Sequence, residues 1–159
     1  MTRYTVIDNM LLCELAREAR QTPRLRKNHN FHRHDSDPCH RFLNALEPGT
    51  YVQPHCHLHE SKEETIIGLA GRIGVLIFSD TGEVEATRVL APVSGTVGIN
   101  IPVGVYHSVV ALEPGAIFFE SKAGPYVPVS DAERAPWAPR EGDDSAQKYL
   151  AFMLGHFGR

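Results

Sequence analysis

Residues 49–72 read GTYVQPHCHLHESKEETIIGLAGR, and this stretch decides which fold the chain can adopt. His55 and His57 are two positions apart, so their side chains share one face of an extended strand. Glu64 opens the next β-type run, which a hairpin can place beside the two histidines. Glu63 has the opposite parity, which favours Glu64 as the inward carboxylate. The stretch therefore predicts imidazole and carboxylate groups on one face of a strand pair.

A further histidine follows a turn later in the chain. Pro102 and Gly104 form that turn, and His107 begins the next strand-like run. Three imidazoles and one carboxylate that converge inside a barrel make a site for one divalent transition-metal ion. The predicted ligands are His55, His57, Glu64 and His107. This donor set leaves coordination positions for water or substrate and does not distinguish Fe, Mn, Ni and Zn.

The remaining pattern predicts an all-β fold with a short helix near each end. Residues 41–123 contain about eight strand-like runs separated by turn residues, one of them over 50–55, as in a β-sandwich or a small barrel. An amphipathic helix is predicted over 8–20, and Asp8 can cap it. A second helix is predicted over 144–157, whose broad apolar face must pack on the barrel or on another subunit.

We expect one domain in this chain of 159 residues. Residues 1–40 are interpreted as a helix followed by a polar, lid-like segment, 41–123 as the barrel core, and 124–159 as a C-terminal wrap and helix. Seven of the nine histidines lie between positions 29 and 59. A group in the polar segment could close over the barrel mouth or remain a solvated loop: His29, Asn30, His32, His34 and His40.

Composition excludes several classes of protein. Sixteen basic and nineteen acidic residues give a net charge of −3, which argues against nucleic-acid binding. No apolar run reaches the roughly 20 residues that span a bilayer, and no secretory signal is evident. The cysteines, Cys13, Cys39 and Cys56, are too few and too far apart for a disulfide framework. The expected location is the cytoplasm.

Two motifs resemble those of the cupin superfamily. The first cupin motif, G-x5-H-x-H-x3–4-E-x6-G, is matched by Gly49, His55, His57, Glu64 and Gly71, and the core of the second, P-x-G-x2-H, by Pro102, Gly104 and His107. Six residues separate His57 from Glu64, which lengthens the loop, and Ala111 stands where an asparagine is expected.

Flanking stretches such as RKNHNFH, AGPYVP and APWAP narrow the resemblance to small WbuC-type cupin-fold metalloproteins. That resemblance implies a metal-binding cupin barrel, a double-stranded β-helix or jelly roll. Such proteins are bacterial and are often encoded with genes for surface-polysaccharide (O-antigen) sugar synthesis. Their reaction is poorly defined, so the resemblance specifies a fold more closely than an activity.

Several polar residues are candidates for contact with a substrate, although strand residues of these types often face solvent. Tyr51 and Gln53 share the parity of His55. The complete set of substrate-binding candidates is Arg41, Asn44, Tyr51, Gln53, Glu120 and Lys122. The candidates for moving a proton are Glu120, Lys122, Tyr51 and His59. His59 is also the alternative fifth ligand, with a solvated loop histidine as the other interpretation. Such groups suit a polyhydroxylated or anionic ligand.

The leading hypothesis is a metal-dependent isomerase or epimerase that acts on a sugar or nucleotide-sugar intermediate of polysaccharide synthesis. The metal would polarise a carbonyl or vicinal hydroxyls as a Lewis acid. One alternative is an Fe(II)-dependent dioxygenase acting on a small molecule. Another is a non-catalytic, metal-containing protein that binds a small molecule. The expected partner is a sugar-like small molecule, and the apolar C-terminal helix makes a homodimer possible.

Overall fold

The computed structural model describes residues 3–93 and 95–158, in which two antiparallel sheets face each other. The elements in chain order are α1 (Asn9–Gln21), β1 (Arg26–Asn30), β2 (Cys39–Leu46), β3 (Glu64–Ala70), β4 (Ile73–Phe78), β5 (Val84–Leu90), β6 (Gly98–Ile101), β7 (Tyr106–Ala111), β8 (Ala116–Ala123) and α2 (Ala146–Gly155). Five strands form one sheet in the order β1-β2-β8-β3-β6, and three form the other in the order β5-β4-β7. The predicted all-β, cupin-type fold with a helix near each end is confirmed, as two facing sheets of a jelly roll rather than one closed barrel.

The main core lies between the two sheets, because alternate residues of each strand point inward. Its buried members come from both sheets and the adjoining turns: Leu46, Ile66, Ile73, Val75, Leu90, Ile101, Val109, Ala111, Ala116 and Phe118. The strand-like runs predicted over 41–123 form strands β2 to β8, except the run over 50–55, since their β-branched and aromatic residues fit a half-buried pleated surface.

The inner face of the larger sheet changes from apolar to polar along its strands. Along β8, Ala116 and Phe118 pack in the core, whereas Glu120 and Lys122 line a cavity. In the antiparallel register Glu64 is the Cα partner of Lys122 on β8. The polar ends of β2, β3 and β8 therefore meet, and together they form one wall of the cavity.

Both helices cover outer faces of the sheets. The Asp8 carboxylate accepts a hydrogen bond from the Leu11 backbone N–H at 3.0 Å and caps α1, as predicted. Helix α1 packs against β2 and β8 through buried Leu15 and Ala19. Leu150 of α2 belongs to a second apolar cluster that includes side chains of β4 and β7, so this helix packs on the chain's own smaller sheet. Within the described residues, no helix is long and apolar enough to cross a bilayer.

Two local predictions were wrong. Residues 26–30 lie in the segment expected to be a lid, but they form β1 and pair with β2 through the register Asn28–Asn44. An edge strand tolerates this polar composition, because one of its sides needs no partner strand. Residues 50–55 do not form a regular strand; only His55 makes isolated bridges, to His107 and Arg134. Pro54 explains the interruption, since proline has no N–H to donate to a ladder.

Candidate metal centre

Backbone hydrogen bonds position the segment that carries His55 and His57. The His55 N–H donates to the His107 carbonyl at 3.1 Å, and the His107 N–H donates back at 2.9 Å. The Gly104 N–H donates to the His57 carbonyl at 2.8 Å, and the Cys56 N–H donates to the Glu133 carbonyl at 2.8 Å. The segment is therefore held on both sides, although it belongs to no regular strand.

The three histidines converge as the motif spacing predicts. One ring nitrogen from each of His55, His57 and His107 lies within 4.8 Å of the other two. The ring centroids of His55 and His107 are 4.7 Å apart, and those of His57 and His107 are 5.9 Å apart. Two nitrogens on one ion, each at about 2 Å, can be separated by up to about 4 Å. The bound of 4.8 Å is slightly above that limit, so a small inward movement of the rings would let the cluster hold one metal ion.

Backbone carbonyls orient two of the rings. Nδ1 of His55 lies 3.0 Å from the Gln53 carbonyl, and Nδ1 of His107 lies 2.9 Å from the Val105 carbonyl. Because a carbonyl only accepts, each Nδ1 carries a proton, which leaves Nε2 as the ring nitrogen that can bind a metal ion. A hydrogen bond from the ring nitrogen that does not bind the metal fixes the tautomer of a metal-binding histidine.

Glu64 lies against two of these histidines. Its Oε2 is 3.1 Å from Nε2 of His57, and its Oε1 is 2.7 Å from Nε2 of His107. Despite this short distance, the buried Nε2 of His107 makes no hydrogen bond of acceptable geometry within the described residues. A nitrogen that lacks a proton cannot donate to a carboxylate, whereas a shared cation would satisfy both atoms. The residues present therefore fit a metal ion.

The electrostatic environment favours the ligating forms of His55 and Glu64, whereas it favours protonation of His107. Desolvation, reinforced by neighbouring His107, lowers the pKa of His55 to about 3, so this ring is neutral at neutral pH. Burial alone would raise the pKa of Glu64, but contacts with His107 and His57 hold it well below its usual range. Burial opposes protonation of His107, yet the adjacent Glu64 carboxylate raises its pKa. A bound cation would compete with that proton.

A second polar network faces the histidines. The Glu120 carboxylate accepts a hydrogen bond from the Asn44 side-chain amide at 2.8 Å and forms an ion pair with Nζ of Lys122 at 2.7 Å. Lys122 Nζ also lies 3.4 Å from Glu64 Oε2, which links the network to the histidine cluster. Burial raises the pKa of Glu120 to about 7, although Lys122 opposes that shift. Burial lowers the pKa of Lys122, but the two carboxylates outweigh it and raise the pKa.

These groups line a cavity of about 560 Å³ between the sheets, and we call it the metal-centre cavity. This volume is in the range that accommodates a small molecule. Its wall includes His55, Glu64, His107, Asn44, Glu120 and Lys122. The lining also includes apolar side chains, among them Ile66, Val109 and Phe118, and two of these come from β3 and β8, the strands that carry Glu64 and Glu120. A ligand would therefore meet hydrogen-bonding groups and apolar side chains in the same cavity.

Four of the candidates lie elsewhere. Arg41 is exposed, because its parity on β2 is opposite to that of Asn44. Tyr51 is buried beneath α2 and donates its hydroxyl to the Pro139 carbonyl at 2.8 Å, since the irregular backbone before Pro54 breaks the expected alternation. Gln53 lines a neighbouring pocket. His59 is exposed in the loop, where its ring Nδ1 accepts a hydrogen bond from the Ser61 hydroxyl.

Three of the five residues singled out in the polar segment lie at the cavity wall. His32 and His40 are buried there with stacked rings, their centroids 4.0 Å apart, and Asn30 also lines the cavity. His29 and His34 do not line it. Phe42 was recognisable from its parity with Asn44, whereas Arg26 was not, because β1 was not predicted.

Comparisons with known proteins agree with the architecture. Residues 7–90 match the model of a family described as "Domain of unknown function (DUF6016)". None of the curated proteins compared with the chain matches it in sequence.

Solved structures share the fold at low identity. KdgF from Halomonas sp. is 19% identical with a TM-score of 0.51, over 67% of this chain and 85% of that one. TT1209 from Thermus thermophilus is 23% identical with a TM-score of 0.51, over 75% and 97% of the two chains. The conserved SPY1581 protein of unknown function from Streptococcus pyogenes is 14% identical with a TM-score of 0.51, over 80% and 93%. Identities this low support the fold alone.

Proposed function

We propose that this chain, which belongs to the family described as "Domain of unknown function (DUF6016)", is a metal-dependent enzyme acting on a small, oxygen-rich molecule. His55, His57 and His107 hold one divalent transition-metal ion, and Glu64 is the fourth ligand. The observation that carries this proposal is the convergence of those side chains at the wall of the metal-centre cavity. The cavity provides access for a small molecule beside the ligands.

The reaction we favour is isomerisation or epimerisation next to a carbonyl or hydroxyl-bearing carbon. The metal supplies a Lewis acid that polarises an oxygen of the substrate. Glu120 is our candidate for moving the proton, because its carboxylate is buried in the same cavity and is held by Asn44 and Lys122. Lys122 orients that carboxylate and offsets the negative charge of the neighbouring Glu64.

The chemistry of the wall suggests the class of ligand. Amide, carboxylate and ammonium groups of the wall can bind hydroxyls, and the apolar side chains beside them can pack against the carbon face of a sugar ring. We therefore propose a sugar or nucleotide-sugar ligand. The resemblance to WbuC-type proteins further suggests an intermediate of bacterial surface-polysaccharide (O-antigen) synthesis.

The first test is elemental analysis of protein purified without oxygen. We expect about one metal ion per chain in the wild type and its loss in His55→Ala and His107→Ala. His59→Ala is the matched control, because His59 is an exposed histidine of the same loop region and should retain the ion. Wild-type protein that takes up no Fe, Mn, Ni or Zn would refute the proposed centre.

The second test addresses the reaction. Metal-loaded protein is incubated with nucleotide sugars in deuterated water, and exchange of carbon-bound hydrogen is followed by NMR. Epimerisation or isomerisation by proton transfer should introduce deuterium, and Glu120→Gln should slow this exchange by about a hundredfold or more. Consumption of dioxygen with ferrous protein would indicate the dioxygenase instead. Bound, unchanged ligand would indicate a binding protein.

A further inference from the structure

We propose that the ligand of this protein carries a phosphate or diphosphate group, which binds in a second pocket next to the metal-centre cavity. This pocket has a volume of about 470 Å³. Among the residues that the structure describes, four arginines line it, Arg24, Arg26, Arg134 and Arg140, and we call it the arginine pocket. The inference deepens the proposed function, on which it rests, because it assigns both cavities to one ligand.

Arg24 and Arg26 share a single acidic partner. Glu141 accepts hydrogen bonds from Nη2 of Arg24 at 2.7 Å and from Nη2 of Arg26 at 2.8 Å. Arg26 also donates through Nη1 to the Tyr51 carbonyl at 2.8 Å, and its side chain is only 17% exposed. Because one carboxylate faces two guanidinium groups, this side of the pocket has an excess of one positive charge.

Arg134 and Arg140 also share one acidic partner. Oδ1 of Asp131 lies 3.1 Å from Nη1 of Arg134 and 3.2 Å from Nη2 of Arg140. Asp131 is mostly exposed, so solvent weakens both ion pairs. Asp143 accepts from the backbone N–H of Arg140 and not from its guanidinium. This side of the pocket therefore adds a second excess positive charge.

The guanidinium groups retain donors for an anion. Each guanidinium has five N–H donors, whereas Arg134 uses one in a hydrogen bond and Arg140 uses one. Planar, forked donors of this kind match the oxygens of phosphate. An excess of about two positive charges suits a phosphate or diphosphate better than a single carboxylate, which carries one negative charge.

The arginine pocket is continuous with the metal-centre cavity. Arg26, Val52 and His55 line both, as do Tyr126 and Val129. Arg134 also makes an isolated β-bridge with His55, which fixes this arginine beside a proposed metal ligand. A phosphate in the arginine pocket would therefore hold the attached part of the ligand against the histidine cluster.

The test uses metal-free protein, so that an anion cannot bind to a metal ion. Inorganic pyrophosphate and inorganic phosphate are titrated by calorimetry at low ionic strength, where surface charges are least screened. We expect pyrophosphate to bind the wild type, and Arg134→Gln and Arg140→Gln each to weaken it at least about tenfold. Arg88→Gln is the control, because Arg88 is an exposed arginine on β5 outside both cavities and should leave binding unchanged.

Three results would overturn this inference: no binding of pyrophosphate to the wild type, unchanged binding in both pocket variants, or acetate binding as tightly as pyrophosphate. Circular dichroism melting curves check that the variants are folded. The side chain of Arg140 is 66% exposed, so its variant decides the outcome even if Arg134→Gln unfolds. His107→Ala should lose the metal but keep pyrophosphate binding. Pyrophosphate binding without any metal uptake would therefore refute the metal centre alone.

Discussion

Glu63 and Glu64 are neighbours in the chain, but they have opposite environments. Glu64 is 3% exposed and contacts His57 and His107, whereas Glu63 is exposed and accepts a hydrogen bond from the Asn100 side chain at 3.4 Å. The difference arises because successive side chains point to opposite faces where β3 begins. Two carboxylates of identical chemistry thus have different access to the histidine cluster.

This pair provides a matched experiment at the level of single residues. Glu64→Gln replaces the negatively charged proposed ligand with a neutral amide of the same size, so we expect metal affinity to fall at least about tenfold. Glu63→Gln should leave the affinity within about twofold of the wild type, as expected for an exposed side chain on the far face. Competition with a chelator measures both values. Equal affinities in the two variants would exclude Glu64 as a ligand.

Among the elements, the tight connection between β3 and β4 shows why a motif glycine is required. Gly71 adopts φ +64°, and a Cβ atom placed there would lie 2.9 Å from the Cα atom of Ala116. Gly104, before β7, has φ +78°, but a Cβ there meets no atom of residues 3–93 or 95–158 within 4 Å. Both glycines satisfy a left-handed turn, yet only Gly71 also permits close approach of another backbone.

Alanine substitutions at the two glycines measure separately the cost of the left-handed conformation and the cost of the close backbone approach. Gly104→Ala should lower the free energy of unfolding by about 1 kcal/mol, which is the cost of the left-handed conformation. Gly71→Ala should lower it by about 3 kcal/mol, because the backbone of Ala116 must also shift. Urea denaturation measures both, provided that the slope of the transition is unchanged. If Gly71→Ala costs no more than Gly104→Ala, the close approach to Ala116 is not structurally important.

In the whole molecule, the candidate metal centre connects the two sheets. Glu64 belongs to β3 of the larger sheet, and His107 belongs to β7 of the smaller one. His55 and His57 lie on the segment that is held against β7. An ion bound to these residues would join both layers, and the unfolded chain would not retain this arrangement.

Metal binding should therefore stabilise the fold as a whole. A free metal concentration one hundred times the dissociation constant should add about 2.7 kcal/mol to the free energy of unfolding. Thermal denaturation with saturating metal and with excess chelator measures this difference. His107→Ala should melt at the same temperature under both conditions, since it lacks a ligand from the smaller sheet. Identical melting curves for the wild type under both conditions would contradict an ion shared by the sheets.

Local patterns in the sequence were sufficient for much of the architecture. Short runs rich in β-branched and aromatic residues, separated by turn residues, predicted strands β2 to β8. Asp8 and the apolar stripe after it predicted α1. Local spacing paired His55 with His57, and the resemblance to the two cupin motifs implied that His107 converges with them.

The tertiary structure alone decided which polar groups share the cavities. Tyr51 packs beneath α2 instead of facing the cavity. Its predicted orientation required a regular strand over residues 50–55, and Pro54 interrupts that strand. Arg26 lies at the cavity because it belongs to β1, an edge strand whose polar composition did not predict a strand. Arg134 belongs to a segment about eighty residues after His55 in the chain. Periodicity describes a residue relative to its neighbours along the chain. These contacts depend instead on how distant segments pack, which local alternation cannot specify.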